Sequence, residues 1–165
     1  NGNRTRYEQW TFGKRRQLAA LVLAEKVEGK GRFMPDIVNG IMSTLEETWW
    51  GIPAHYGTKM MRPEDQNVDL FNAETAGLMV WTRHALQQQI DSFSPLLSQR
   101  IDSEIERRML IPALNTNYWW KKASMNWNPW ICSNWLACVK FCEYDSVRRD
   151  KALTRILLPC MWMTL

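Results

Sequence analysis

MPDIVNGIMSTLEETWW, residues 34–50, decides the fold: Ile37, Ile41, Leu45 and Trp49 recur every four residues, flanked by Val38 and Met42. That spacing is the apolar face of an amphipathic helix, and it is the clearest stripe in the chain. Upstream, residues 14–28 carry Leu18, Leu21 and Val22 and close on Gly29, where a left-handed helix cap is wanted. Downstream, a third helix is predicted over 69–91, with Asp69 near its start and Leu70, Gly77, Leu78, Trp81 and Ala85 along neighbouring faces. Ser94 and Pro95 cap and open a fourth, striped by Leu97, Ile101, Ile105 and Met109, which Pro112 should kink or end. Asn128 as cap and Pro129 as first residue open a fifth helix carrying Trp135, Cys138, Val139 and Cys142, and a sixth covers 146–158.

The expected class is therefore all-α: six helices in antiparallel hairpins, in one domain spanning residues 1–165. Two irregular stretches interrupt them. WWGIPAHYGTKMMRPEDQNVD, residues 49–69, holds two prolines and two glycines without periodicity, and a second runs over 115–127. Long ordered loops inside compact domains are more often functional than not, and in stacked hairpins these two should gather at one end.

Composition narrows the class further. The 165 residues are 45% hydrophobic and 23% charged, an ordinary globular balance, and no apolar run approaches the roughly 18 residues of a membrane helix. The net charge of +4 comes from basic residues such as Arg4, Arg6, Lys14, Arg15, Arg16, Arg148, Arg149 and Lys151, which lie beside acids and read as solvated helix faces. Nothing has the spacing of a nucleic-acid module. Cys132, Cys138, Cys142 and Cys160 form no C-x-x-C pair and only two histidines accompany them, which argues against zinc; no cofactor is expected. Cys138 and Cys142 share one helical face and read as buried free thiols.

Tryptophan is the compositional anomaly: ten residues, against eight glycines. MNWNPWICSNW, residues 125–135, sets three tryptophans among three asparagines. A core uses the rings but not the amides. Flat rings beside neutral amides suit a surface that stacks on sugar faces while hydrogen-bonding hydroxyls or a carboxylate. The apolar tail LTRILLPCMWMTL, residues 153–165, is broken by Pro159 on this reading and is expected either to tuck under the last hairpin or, the favoured alternative, to belong to a longer native chain.

Three strings carry a family resemblance: GRFMPDIVNGIMSTLEETWWGIPAH (31–55), DLFNAETAGLMVWTRHAL (69–86) and WWKKASMNWNPWICSNWLACVKF (119–141). Together they resemble the N-terminal helical region of the heparinase II/III-like polysaccharide lyases, over roughly residues 7–158. The resemblance implies part of an (α/α) toroid, a β-sandwich domain absent from this chain, and a cleft between the two. It also implies β-elimination on uronic acid sugars, in a periplasmic or extracellular setting of bacterial origin. In that chemistry an amide or acid holds the C5 carboxylate, a base takes the C5 proton and an acid protonates the leaving oxygen.

On the resemblance, Asn126 holds the carboxylate. Trp127 stands where alginate-cleaving members carry His, and the family's catalytic Tyr falls after Leu165, so this chain by itself is expected to be inactive. His55, in the long loop between Ala54 and Tyr56, is the titratable candidate for the base, or else fixes the loop backbone. Trp49, Trp50, Tyr56, Trp127, Asn128 and Trp130 are candidate sugar contacts, with Asn128 equally a helix cap. Glu74 is a polar ligand or a brace between helices. His84 reads as structural or solvated, and Trp81 and Trp135 as core. The expected partner is an acidic polysaccharide or oligosaccharide, with neither nucleic acid nor membrane, and exposed apolar ends offer self-association.

Two other classes stand beside the lyase reading. One is a glycan-binding or helical interaction module without chemistry. The other is an (α/α) glycoside hydrolase, which needs two carboxyl groups about 5 to 9.5 Å apart across a sugar. Asp69 and Glu74 are about 7.5 Å apart by helical rise, but on the same helix, which makes flanking a substrate awkward.

Overall fold

The computed structural model describes residues 3–56, 66–122 and 125–162, with side chains described through Leu157. Every regular element among the described residues is helical: α1 (Arg4–Glu28), α2 (Met34–Leu45), α3 (Leu70–Phe93), α4 (Pro95–Ile105), α5 (Ile111–Asn115), α6 (Trp127–Cys142) and α7 (Ser146–Trp162). A π-helical turn, Glu106–Leu110, joins α4 to α5 as one rod, so six rods result. Short 3-10 turns at Pro53–His55 and Trp119–Lys122 sit in the two long connections.

Contacts between rods fix their directions. Leu18 lies under Gly40 and Lys14 reaches the carbonyl of Ser43, so α1 and α2 are antiparallel. Ser98 bonds Asp91 and Arg83 pairs with Asp102, which sets α3 against α4 in the same way. Between α1 and α3 the pairs Phe12–Phe71, Arg15–Thr75 and Lys26–Ala85 advance together, so these helices are parallel. Gly77–Asn134 and Trp81–Phe141 give the same sense to α3 and α6. Arg148–Glu106 and Arg155–Leu114 do so for α7 and the α4–α5 rod.

The result is a two-layer array of three hairpins. α1, α3 and α6 lie side by side in one layer, and α2, the α4–α5 rod and α7 in the other. The core between them includes Ile37, Ile41 and Leu45 of the opening stripe, facing Met79, Val80, Leu86, Ile101, Ile105 and Ile131. Short turns close one end; both long connections meet at the other, where the Trp120 indole donates to the Val68 carbonyl at 2.8 Å. The expected all-α class and the gathering of the long loops are both present.

Of the boundaries that differ from the sequence reading, four have a direct physical reason. α1 begins at Arg4, not residue 14, because the Asn3 side chain caps the Arg6 N–H and Gly13 is accommodated in mid-helix. α2 stops at Leu45 because Trp50 folds back into the core and donates to the Thr44 carbonyl at 3.0 Å. The fourth rod passes through Pro112: the wider π turn just before it accommodates a residue that lacks the N–H and crowds the preceding turn. The last helix continues past Pro159 to Trp162, so Pro159 does not break it. Residues 57–65 of the long loop and the end of the apolar tail lie outside the described residues.

The closed end uses a buried acid. Glu25 is fully buried, and its two carboxylate oxygens accept the Gly31 and Phe33 N–H groups at 2.7 and 3.1 Å. Gly29 and Gly31 take positive φ, 66° and 77°, which the tight reversal between α1 and α2 requires.

Candidate functional site

Asp69, 1% exposed, sits at the N-cap of α3, and its Oδ1 accepts the Asn72 N–H at 2.7 Å. Its Oδ2 accepts the Ile52 N–H at 3.3 Å and lies 2.6 Å from Nδ1 of His55. A carboxylate already accepting two amides acts as acceptor toward the imidazole as well, so Nδ1 carries the proton. Nε2 is then the basic nitrogen, and it has no hydrogen-bond partner among the described residues. This is the base-and-orienter geometry of acid–base sites.

His55 is also the middle ring of a continuous aromatic run. Phe12 meets Phe71 at 4.5 Å, Phe71 stacks on His55 at 5.4 Å and 14°, Trp127 tilts against His55 at 4.8 Å, and Trp119 follows Trp127 at 4.8 Å. Four separate parts of the chain supply these rings: α1, the long loop, α3, and the stretch from Trp119 to the first residue of α6. The His55 side chain keeps 14% of its surface, while Trp119 is 58% exposed. The rings pack on one another, so a ligand laid along the run meets their edges and the more exposed Trp119, with the His55 Nε2 among them.

The surroundings hold this loop end rigid. Arg15, buried on α1, grips both oxygens of Glu47 at 3.4 and 2.7 Å and donates to Thr75 at 2.6 Å, tying the exit of α2 to α3. Arg108, from the π turn, pairs with Glu104 at 2.6 Å, caps the Glu47 carbonyl at 2.6 Å and lies over the Trp50 ring at 4.8 Å. Tyr56 packs edge-on to Trp49, and its hydroxyl donates to the Asn67 carbonyl. Burial, reinforced by the Asp69 carboxylate, pushes the Tyr56 phenol far above its usual range, so it stays protonated.

The sequence-derived candidates separate into groups. His55 and Trp127 come together, and Asn126 precedes Trp127 at the exposed N-terminus of α6 with no side-chain capping bond. Trp49 and Tyr56 pack on each other on the other side of the loop. Trp130 is 46% exposed one turn into α6, and Glu74 is exposed on α3 one turn after Phe71. Trp50 is fully buried and offers no face to a ligand. Asn128 is neither the cap nor open to a ligand: it is buried inside α6, donating to the Lys121 carbonyl and accepting from Cys132. His84, exposed, stacks on Phe141 at 4.2 Å, away from the loop end; Trp135 is buried as expected, whereas Trp81, expected in the core, is 52% exposed and meets Phe141 edge-on.

The expected buried thiols are present at Cys138 and Cys142, Cys132 is buried as well, and none of the three is in a disulfide; the Cys160 side chain lies outside those described. Sequence reasoning missed Asp69 as the orienter of His55, and it missed Phe71 and Phe12. One signal for Asp69 was available, since an Asp three residues before the first buried helical turn is a capping pattern. Phe12 carried none, because it sits in a stretch whose helix the apolar spacing does not reveal. No family model matches the chain, and no curated protein matches it in sequence.

Proposed function

We propose that the loop end of this array binds an acidic glycan as part of a polysaccharide lyase-like protein, with His55 as the base of a β-elimination. The observation that carries the reading is the His55–Asp69 pair set within a run of four other aromatic rings. A uronic acid laid along the edge of the run, beside Phe71 and Trp127, brings its C5 proton over Nε2. His55 takes that proton, and the electron pair left at C5 forms the C4–C5 double bond as the C4–oxygen bond breaks. Asn126, beside Trp127, donates its amide to the C5 carboxylate and stabilises the charge that develops there. The leaving oxygen takes its proton from a donor not assigned to this chain. The toroid, the periplasmic or extracellular setting and self-association through exposed apolar residues of α1 such as Trp10, Leu23 and Val27 belong to the same proposal.

Proton removal is measurable without cleavage. In deuterated buffer, a base acting at C5 exchanges the C5 hydrogen of a uronic acid oligosaccharide, read by NMR and mass spectrometry; where cleavage also proceeds, unsaturated ends absorb in the ultraviolet. Exchange in the wild type and none in His55→Gln supports the proposal. Binding without exchange in either protein replaces it with the second reading, a glycan-binding module without chemistry. That alternative draws its support from Trp127, whose indole leans on the His55 ring and leaves it little open surface. Absence of binding to any uronic polymer sinks both.

A further inference from the structure

Beyond Phe71 the aromatic run opens into a groove of about 290 Å³ between α1 and α3, lined by Phe12, Arg15, Arg16, Phe71, Glu74 and Leu78. Its origin is the parallel packing of the two helices. Phe12 meets Phe71 at the loop end, and one turn further the side chains of Arg16 and Glu74 stand on the walls. The volume is at the small end of pockets that hold small ligands, which suits a single ring better than a peptide.

The charges in the groove are unequally committed. Arg15 is spent on Glu47, Thr75 and the Thr11 carbonyl. Arg16 is exposed and forms no hydrogen bond or ion pair with another described residue, and the same holds for Glu74. Burial raises the Glu74 carboxyl above its usual range against the opposing pull of Arg15. The groove thus presents two aromatic rings, one uncommitted guanidinium and one carboxyl that accepts or shares a proton with hydroxyls. A guanidinium matches a carboxylate through paired N–H donors, and the rings match the apolar face of a pyranose.

Phe71 belongs to both places. It packs against Phe12 in the groove and stacks on His55 at the site. We propose that the groove is the adjoining subsite for the same glycan: the sugar next to the one over His55 lies here, its carboxylate on Arg16 and its hydroxyls on Glu74. This inference rests on the glycan reading above and narrows it to polymers with uronic acids at neighbouring positions.

Two tetrasaccharides with the same β-1,4 backbone test it: one of glucuronic acid, and cellotetraose, which lacks the carboxylates. Binding is followed by calorimetry on the wild type, Arg16→Gln and Glu74→Gln, after thermal melts show that the variants fold alike. The expected result is a loss of about tenfold or more for the acidic sugar in Arg16→Gln, with a weaker salt dependence and no change for cellotetraose. Glu74→Gln should weaken both sugars a few-fold. Unchanged acidic-sugar affinity in Arg16→Gln, or equal losses for both sugars, overturns the subsite. C5 exchange in the wild type together with no effect of Arg16→Gln refutes the subsite alone. Selective loss in Arg16→Gln without exchange in the wild type refutes the base chemistry alone. A wild type that binds neither sugar refutes both.

Discussion

The carboxylate of Asp69 serves two elements at once: Oδ2 stands 2.6 Å from Nδ1 of His55, and Oδ1 accepts the Asn72 N–H that opens α3. The position of the imidazole is thereby tied to the start of the central helix. Asp69→Ala removes a cap and leaves the Ile52 N–H unsatisfied, and should cost about 2 kcal/mol in denaturant unfolding. Asp69→Asn keeps an acceptor for the cap but presents an amide to His55, which favours the wrong tautomer. It should hold most of the stability while C5 exchange falls by about 100-fold or more. Equal exchange in Asp69→Asn and wild type would remove Asp69 from the proposed chemistry.

How far the sequence could reveal this arrangement follows from the range of each interaction. The stripe Ile37, Ile41, Leu45 is local, so the helix and its buried face were readable. Trp49 continued the same spacing, yet Trp50 is the residue that enters the core, because a tertiary bond to the Thr44 carbonyl ends the helix first. His55 was conspicuous as a loop histidine, whereas its partner Asp69 lies fourteen positions away and its ring neighbours Phe71 and Trp127 come from different elements. Such meetings are set by the parallel packing of α1, α3 and α6, which no periodicity encodes. Asn128 misled for the opposite reason: Asn before Pro is a common helix opening, but here the amide is consumed by the Lys121 carbonyl.

Arg108 is the residue whose removal should harm the loop end most. It is 2% exposed and joins Glu104, the Leu45 and Glu47 carbonyls and the Trp50 ring. Arg108→Met fills similar space but leaves the buried Leu45 and Glu47 carbonyls without their donor and Glu104 with only Arg100 and Arg107, and should destabilise by about 3 kcal/mol. Equilibrium unfolding in urea measures it, and a loss below about 1 kcal/mol would mean the network contributes little net stability.

Lys121 gives an expected pH signature. Its ammonium donates to the Ala113 and Thr116 carbonyls and lies near the rings of Tyr118, Trp120 and Trp135. Burial, and secondarily Arg155, lower it from 10.5 to about 8. The unfolded chain therefore holds this proton more tightly than the folded one. Between pH 8 and 10.5 the folded state releases it first, so stability rises with pH from this group. The stability difference between wild type and Lys121→Met should shift toward the wild type across that window. A difference that shrinks or stays flat contradicts the lowered value.

The buried thiols should be inert in the native state. Burial, with the nearby Asp102, pushes Cys142 up to about 12, and burial raises Cys138 well above its usual value. Little thiolate then exists at neutral pH, and access is closed as well. With iodoacetamide at pH 8, peptide mapping should show Cys132, Cys138 and Cys142 unlabelled in folded protein and labelled together on unfolding. Rapid native labelling of Cys142 would place it on an exposed surface, contrary to its packing beside Asp102.

Two glycines make opposite predictions, because what a methyl group meets decides the outcome. At Gly51 an added Cβ would lie 2.5 Å from the Tyr56 hydroxyl and 2.9 and 3.0 Å from the Asp69 carboxylate oxygens. Asp69 is held by the Asn72 and Ile52 amides and by His55, so it has no direction in which to retreat. At Gly77 the Cβ would fall 2.0 Å from Asn134 Oδ1 and 3.0 Å from its Cγ, so the Asn134 side chain must swing away, but the Asn134 Cβ is at 3.4 Å, an ordinary contact. There the amide can rotate outward, losing only its bond to the Trp130 carbonyl, and alanine regains about 1 kcal/mol of helix propensity over glycine. Gly51→Ala should therefore destabilise by about 2 kcal/mol or more and move the His55 ring signals in NMR spectra. Gly77→Ala should stay within about 1 kcal/mol of wild type and leave those signals in place. Were Gly51→Ala to melt like the wild type with an unmoved His55, the tight packing of Gly51 on Tyr56 and Asp69 would not be what positions the imidazole.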